Sequence, residues 1–187
     1  MIPALLVAVS LAVPNNFLLY EKAAATKDKN PETSWTASSK KSATLVVNPC
    51  QKARLAQSGR TQARTLIYTA VPDYSKSEQV ILYASASAAG KALRDLGADV
   101  RACSRPGYRY SAVTVDLGDD ALKVTGQAYQ GKKAAVGGER AIVTRRANAL
   151  ILYTVGGEWG RPLKDDFGQQ TRDTKRMLAK VCTIADC

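Results

Sequence analysis

The stretch that decides the fold is Val80–Cys103, VILYASASAAGKALRDLGADVRAC. Its first four residues are apolar and β-prone, which predicts a strand. Ser85 and Ser87 follow, and serine is a residue type that favours helix N-caps. Beyond them, apolar residues recur at helical spacing, so a strand leads directly into an amphipathic helix. The apolar positions are Ala89, Leu93, Leu96, Val100 and Cys103, and the charged residues on the opposite side are Lys91, Arg94 and Arg101.

Short apolar runs separated by Gly, Pro and Asp turns extend on both sides of this unit, which indicates an α+β fold. We expect an antiparallel sheet of about five to six strands, flanked by two main helices and stabilised by disulfides. The predicted strands cover 64–71, 80–84, 108–115, 121–129, 139–145 and 149–155, with a further short candidate at 44–47. Besides the helix that ends at Cys103, a second main helix is predicted over 163–181, with shorter helical segments at 17–25 and 50–56.

Charge and the absence of histidine bound the function. The 187 residues carry 27 Lys and Arg against 16 Asp and Glu, a formal net charge of +11, and none is histidine. The charge favours an anionic partner, such as a wall polymer, an acidic lipid surface or an acidic ligand. Without imidazole, Ser-His-Asp and Cys-His mechanisms and His-ligated zinc are excluded. Carboxylate or lysine chemistry stays open, and we expect neither a metal nor a cofactor.

The four cysteines, Cys50, Cys103, Cys182 and Cys187, contain no Cys-x-x-Cys pair. An even number in a chain of this size indicates two disulfides formed in an oxidising compartment, with four reduced thiols as the alternative. Three pairings are possible. We favour Cys50 with Cys103, which would join an early turn to the central helix. Cys182 and Cys187 would then close a small C-terminal loop.

The chain begins with an apolar segment, residues 1–13, that is too short to span a membrane. It is similar to the core of a signal peptide, and Ser10-Leu11-Ala12 is similar to a cleavage site, although no basic residue precedes it. The sequence leaves open that the true start lies upstream, that the segment is the stub of a membrane anchor, or that it belongs to the fold. We expect one domain over residues 14–187.

Two sets of basic residues are candidate contact surfaces. Arg140 and Arg146 share one face of a regular strand, so together they could hold a carboxylate or phosphate. The last helix carries an apolar stripe on one side and a basic face on the other. The stripe is Leu163, Phe167, Thr174, Leu178 and Val181, and the basic face is Arg172, Lys175, Arg176 and Lys180.

Several short motifs together resemble the PknH-like extracellular sensor domains of actinobacterial receptor kinases and their stand-alone secreted or lipoprotein relatives. The resemblance spans roughly residues 14–182. The motifs are Leu18-Leu19, Trp35, Pro49-Cys50, Leu82-Tyr83-Ala84-Ser85 with Ala89, Ala92 and Cys103, Leu117-Gly118-Asp119-Asp120-Ala121, Gly138-x-Arg140, and Arg146-x-Asn148-x-Leu150.

The resemblance implies an α+β domain outside the membrane, with disulfides, a solvent-open cleft and a ligand-sensing role. It attaches no catalytic residues to this chain. Cys50 and Cys103 match cysteines of the family, whereas Cys182 and Cys187 depart from its pattern. The chain has no glycine-rich loop and no catalytic-loop histidine of a kinase, so the output of a sensor would lie on a partner, or the chain would be a free binding protein.

We therefore expect a non-enzymatic, exported sensor or ligand-binding domain, located outside the cell or in its envelope, with a cleft against the sheet for a small or anionic ligand. One alternative is a basic adhesion module that binds anionic cell-wall or membrane polymers through the last helix. Another is a histidine-free carboxylate hydrolase. A nucleic-acid partner is not expected, because the basic helix lacks interleaved aromatic residues. The candidate cleft residues are Tyr83, Arg140, Arg146, Tyr153 and Trp159.

Overall fold

A computed structural model describes residues 13–26, 30–158 and 164–187. Its frame is one antiparallel sheet of eight strands in the order β1-β2-β3-β8-β7-β6-β5-β4. The last strand in the sequence, β8, thus lies between β3 and β7 at the centre of the sheet. The strands are β1 Thr33–Ser38, β2 Arg60–Ala70, β3 Tyr74–Tyr83, β4 Ser104–Arg105, β5 Tyr108–Val115, β6 Asp120–Gln130, β7 Lys133–Arg146 and β8 Ala149–Gly157.

In the described ranges, three helices accompany the sheet: α1 Glu21–Ala25, α2 Ala86–Ala102 and α3 Gly168–Val181. A 3-10 turn, Lys164–Phe167, leads into α3. The predicted start of the last helix at Leu163 lies outside the described residues. No helix in the described part of the chain has the length and apolar character that crossing a membrane requires.

The prediction of five to six strands is wrong, because the sheet has eight strands. The two main helices are α2 and α3, and the five-residue α1 lies within the short helical segment predicted at 17–25. The two strands that the sequence did not reveal, β1 and β4, are the edge strands. The β1 sequence is rich in Ser and Thr and half-exposed, so it lacks apolar alternation. Only two residues form β4. Both strands depend on the neighbouring strand rather than on their own sequence pattern.

Residues 44–47, a strand candidate, do not join the sheet. Leu45 and Val47 are buried in the core beneath α2, which explains their apolar character. The side chain of Gln79 replaces a strand partner here: its amide nitrogen donates to the Thr44 carbonyl at 2.9 Å, and its oxygen accepts from the Val46 N–H at 3.2 Å. The predicted helical turn at 50–56 is likewise a series of turns without a helix.

The central helix begins where the sequence predicts. The Ser85 hydroxyl accepts a hydrogen bond from the Ala88 N–H at 3.1 Å, an N-cap contact, and α2 ends at Cys103. The apolar side of α2 packs against one face of the sheet, which we call the α2 face. Its core includes Leu93, Leu96 and Val100 from the helix and Ile81, Leu122, Val143 and Leu152 from the sheet.

The opposite face of the sheet, the α3 face, is covered by α3 and by the N-terminal segment, residues 13–26. Phe17 and Leu18 are buried there. The predicted stripe of α3 is correct for Phe167, Thr174 and Val181, whereas Leu178 is only half-buried. The buried residues of the helix are Gln170, Asp173, Thr174, Met177 and Val181, so polar side chains share the stripe. Residues 1–12 lie outside the described residues.

Both favoured disulfides are present. Cys50 is bonded to Cys103, with their Cα atoms 5.7 Å apart, and Cys182 is bonded to Cys187, with Cα atoms 5.4 Å apart. The first bond joins partners 53 residues apart and attaches the 40–56 region to the end of α2. The second joins partners only 5 residues apart.

We expect the two disulfides to stabilise the fold unequally, because cross-linking a longer loop removes more entropy from the unfolded chain. The sequence separations, 53 and 5 residues, correspond to about 4 and about 2 kcal/mol, respectively. Urea denaturation should therefore show a lower free energy of unfolding for the Cys50→Ser/Cys103→Ser double variant than for the matched Cys182→Ser/Cys187→Ser control. Equal losses in the two variants would contradict this expectation.

Candidate functional site

The candidate cleft residues from the sequence lie on both faces of the sheet. Tyr83 is on the α2 face, 1% exposed, with its hydroxyl donating to the Ala56 carbonyl at 2.9 Å. Tyr153 is on the α3 face, equally buried, and its hydroxyl donates to the carboxylate of Glu78. The structure therefore separates these two aromatic rings by the thickness of the sheet. Trp159 lies outside the described residues.

The two arginines on β7 share the α3 face but have different surroundings. Arg140 is completely buried, and its guanidinium donates to Asp166 at 2.9 Å and to the side-chain oxygen of Gln127 at 3.0 Å. Arg146 is partly exposed and forms an ion pair with Asp119 at 3.2 Å. Each guanidinium thus has an acidic partner within the protein, and the structure does not bring the two together.

Buried polar contacts attach the N-terminal segment to the sheet. The Glu78 carboxylate, fully buried, accepts the backbone N–H groups of Leu19 and Tyr20 at 2.8 and 2.9 Å. Burial raises the pKa of Glu78, and the hydrogen bonds from Tyr153 and the two N–H groups oppose that rise. The Tyr20 hydroxyl donates to Asp173 of α3. The carboxylates of Glu78 and Asp173 therefore hold the N-terminal segment against the α3 face.

The basic face of α3 is partly used inside the protein. Lys180 donates to the Phe17 carbonyl and lies 4.5 Å from the centre of the Phe17 ring. Arg176 is 3.4 Å from Asp173. Arg172 and Lys175 are exposed, and within the described residues neither has an ion-pair partner. Two of the four predicted contact residues thus remain fully available to a partner.

A groove of about 230 Å³ lies on the α2 face, between α2 and strands β5 and β6. Leu93 of the helix and Leu122 of β6 supply apolar surface, and Thr114 of β5 supplies a hydroxyl. The full set of residues around the groove is Gly90, Leu93, Arg94, Gly97, Arg101, Thr114, Asp120, Ala121 and Leu122.

Two Gly-x-x-x-Arg units shape the helix side of this groove: Gly90 with Arg94, and Gly97 with Arg101. Residues four apart lie on the same face of a helix, so each arginine can reach back over its glycine. A Cβ atom on Gly90 would lie 3.3 Å from an Arg94 guanidinium nitrogen, and one on Gly97 would lie 3.4 Å from that of Arg101. Both guanidinium groups therefore lie beside the groove.

The two units are seven residues apart, which is about two helical turns or about 10 Å along the axis. Within the described residues, neither Arg94 nor Arg101 has a hydrogen-bond or ion-pair partner. The acidic residue of the groove, Asp120, is paired with Arg145 at 2.7 Å. The groove consequently has an excess of positive charge, which suits an anionic group.

Sequence reasoning placed Arg94 and Arg101 on the solvent side of the helix and did not identify them as site residues. The repeated Gly-x-x-x-Arg spacing was the available signal. Its meaning depends on β5 and β6 lying beside the two glycines, and the sequence of the helix alone does not show that.

A second, more open cavity of about 500 Å³ lies on the other side of α2. Its lining carries two basic residues, Lys52 and Arg54, and two acidic ones, Asp95 and Asp99, and Asp99, which is 4% exposed, is paired with Lys52 at 2.5 Å. Because the charges of this cavity neutralise each other, we favour the smaller groove as the candidate site. No cluster of three or more acidic or cysteine side chains that could hold a metal occurs among the described residues.

These features define an α+β domain in which a single antiparallel sheet is covered on both faces and carries a basic groove beside its central helix. The structure is similar to the crystal structure of the extracellular domain of PknH from Mycobacterium tuberculosis, with a TM-score of 0.55 and 14% identity over 91% of this chain and 99% of that one. At this identity the likeness shows a shared fold.

A putative uncharacterized protein from Mycobacterium smegmatis is also similar, with a TM-score of 0.36 and 11% identity over 81% of this chain and 90% of that one. No protein-family model matches the chain. No curated protein matches it in sequence.

The two groove glycines should respond differently to alanine. In Gly90→Ala the new methyl group would lie 3.3 Å from the flexible end of Arg94 and at ordinary contact distance, 3.8 Å, from Arg145, so the gain in helix propensity should raise the free energy of unfolding by about 0.5–1 kcal/mol. In Gly97→Ala it would lie 3.0 Å from a methyl carbon of Leu122, and the clash should cancel that gain. Parallel urea titrations compare the two variants, and an equal gain in both would show that Leu122 does not restrict Gly97.

Proposed function

We propose that this chain is a non-enzymatic, exported sensor domain that binds a small anionic ligand in the groove between α2 and strands β5 and β6. The observation that carries the proposal is the pair of guanidinium groups of Arg94 and Arg101, which have no partner among the described residues and lie beside an apolar floor. A guanidinium forms charge-assisted hydrogen bonds to carboxylate or phosphate oxygens, and the leucines can contact an apolar portion of the same ligand.

Two further observations support a sensor outside the cytoplasm. The fold is shared with the extracellular domain of PknH. The two disulfides are typical of proteins from an oxidising compartment. The chain has no histidine, and the carboxylates of the α3 face are used for internal hydrogen bonds, which favours recognition over catalysis.

A second candidate function is adhesion to anionic polymers or lipids through α3. The exposed Arg172 and Lys175 favour it. Because both side chains are exposed to solvent, binding there would depend on net charge and decline steeply with salt.

Two double variants separate the two functions while removing equal charge: Arg94→Gln/Arg101→Gln in the groove, and Arg172→Gln/Lys175→Gln on α3. Octyl phosphate serves as the groove probe and vesicles containing phosphatidylglycerol as the surface probe. The groove variant should lose about 10-fold or more in octyl phosphate affinity, because a hydrogen bond to a charged group contributes about 1.5–3 kcal/mol. The α3 variant should change that affinity less than about twofold.

Isothermal titration calorimetry at constant ionic strength gives the octyl phosphate affinities, and vesicle sedimentation gives the lipid affinities. Equal losses of octyl phosphate binding in both variants would mean that net charge alone attracts the probe, and would overturn the groove assignment. Vesicle binding that only the α3 variant abolishes, together with no octyl phosphate binding to the unmodified protein, would favour adhesion instead.

A further inference from the structure

Glu139 on β7 is an acidic residue that the proposed groove does not use. It lies on the α2 face of the sheet, opposite Gly126 of β6 on one side and Gly156 of β8 on the other. Paired residues on adjacent strands point to the same face, so Glu139 is flanked on both sides by positions without side chains. This arrangement lets side chains from other rows of the sheet approach the positions beside the carboxylate.

Two tyrosine rings fill the space on the Gly126 side. A Cβ atom on Gly126 would lie 2.8 Å from the ring of Tyr108 and 2.9 Å from that of Tyr110, so both rings lie over this glycine. The ring centres are 4.9 Å apart, with an angle of 48° between the planes. Since Gly126 is the direct cross-strand neighbour of Glu139, the two aromatic rings stand immediately beside the carboxylate.

The other sides of the site are polar. Ser75 pairs with Gly156, and its hydroxyl lies 3.0 Å from the point that a Cβ atom on Gly156 would occupy. Arg105 of β4 is the backbone partner of Tyr108 of β5 at the sheet edge. Its guanidinium donates to the Pro49 carbonyl at 3.4 Å. Pro49 precedes the cysteine that is bonded to the end of α2, so the disulfide holds this boundary in place.

The side chain of Glu139 is half-buried, and within the described residues its carboxylate has neither a hydrogen bond nor an ion pair. That is unusual for a chain with 27 basic residues. Burial raises the pKa of Glu139 to about 7. A cation placed beside the carboxylate would offset the cost of this burial, and the faces of the two tyrosine rings attract cations as well.

We infer that Glu139, Tyr108 and Tyr110 form a binding site for a small organic cation, such as a primary ammonium or guanidinium group, separate from the basic groove beside α2. The carboxylate pairs with the charge, the tyrosine rings contact the carbon atoms and the face of the cation, and Ser75 lies on the opposite side.

n-Butylammonium is the probe, n-butanol its uncharged counterpart, and the ring signals of 13C-labelled tyrosine in NMR titrations report binding. Glu139→Gln should weaken n-butylammonium binding about 10-fold or more. The matched control is Glu158→Gln, which removes an exposed carboxylate and should change binding less than about twofold. Tyr108→Phe, which keeps the ring, should bind as the unmodified protein does, and Tyr108→Leu should bind several-fold more weakly.

The pH dependence is a second readout. Raising the pH from 5.5 to 8 ionises Glu139, so n-butylammonium affinity should increase about 10-fold or more. Tyr108 and Tyr110 have raised pKa values and stay neutral over this range, and Arg105 stays charged, so these groups do not account for the change. Unchanged binding in Glu139→Gln, a flat pH profile, or equal affinity for n-butanol would overturn the proposal.

Discussion

The rest of the structure depends on the burial of β8 on both of its faces. Residues 149–155 of this strand are all buried, and the strand lies between β3 and β7. An antiparallel sheet with one solvated face would show alternating polar residues, and β8 does not. Both faces of the sheet must therefore be covered, one by α2 and the other by α3 with the N-terminal segment.

Because both faces of the sheet are covered, several charged and polar side chains are buried. Where α3 and the N-terminal segment cross the sheet, their backbone and side chains need partners away from water. Glu78 accepts the N–H groups of residues 19 and 20, and the Arg64 guanidinium donates to Glu21 at 2.6 Å with both residues almost fully buried. The pKa of Glu78 is raised because this carboxylate is enclosed. These contacts make the N-terminal segment an integral part of the fold.

The candidate sites lie where the covering of the α2 face is incomplete. One helix is narrower than a sheet of eight strands, so α2 leaves the β5–β6 side beside it open, and the groove lies there. The second candidate site lies at the row of Ser75, Gly156, Glu139 and Gly126, where the two glycines have no side chains and the tyrosine rings and the Ser75 hydroxyl lie over them. Glycine in a strand weakens local packing, which leaves room for another group to approach the backbone. Both candidate sites lie on the α2 face, where the covering of the sheet is incomplete.

The sequence by itself determined the helices and strands that depend on residues close together in the chain. The apolar run of β3, the Ser85 cap, the periodicity of α2 and the six longer strands could be predicted, because each depends on neighbouring residues. Strand pairing decided the remainder. The edge strands β1 and β4 form because a neighbour supplies hydrogen bonds, and Leu45 and Val47 are apolar for packing rather than for a strand. The charge of Arg94 and of Glu139 can be read from the sequence, but that neither has a partner among the described residues depends on which residues lie around them in three dimensions.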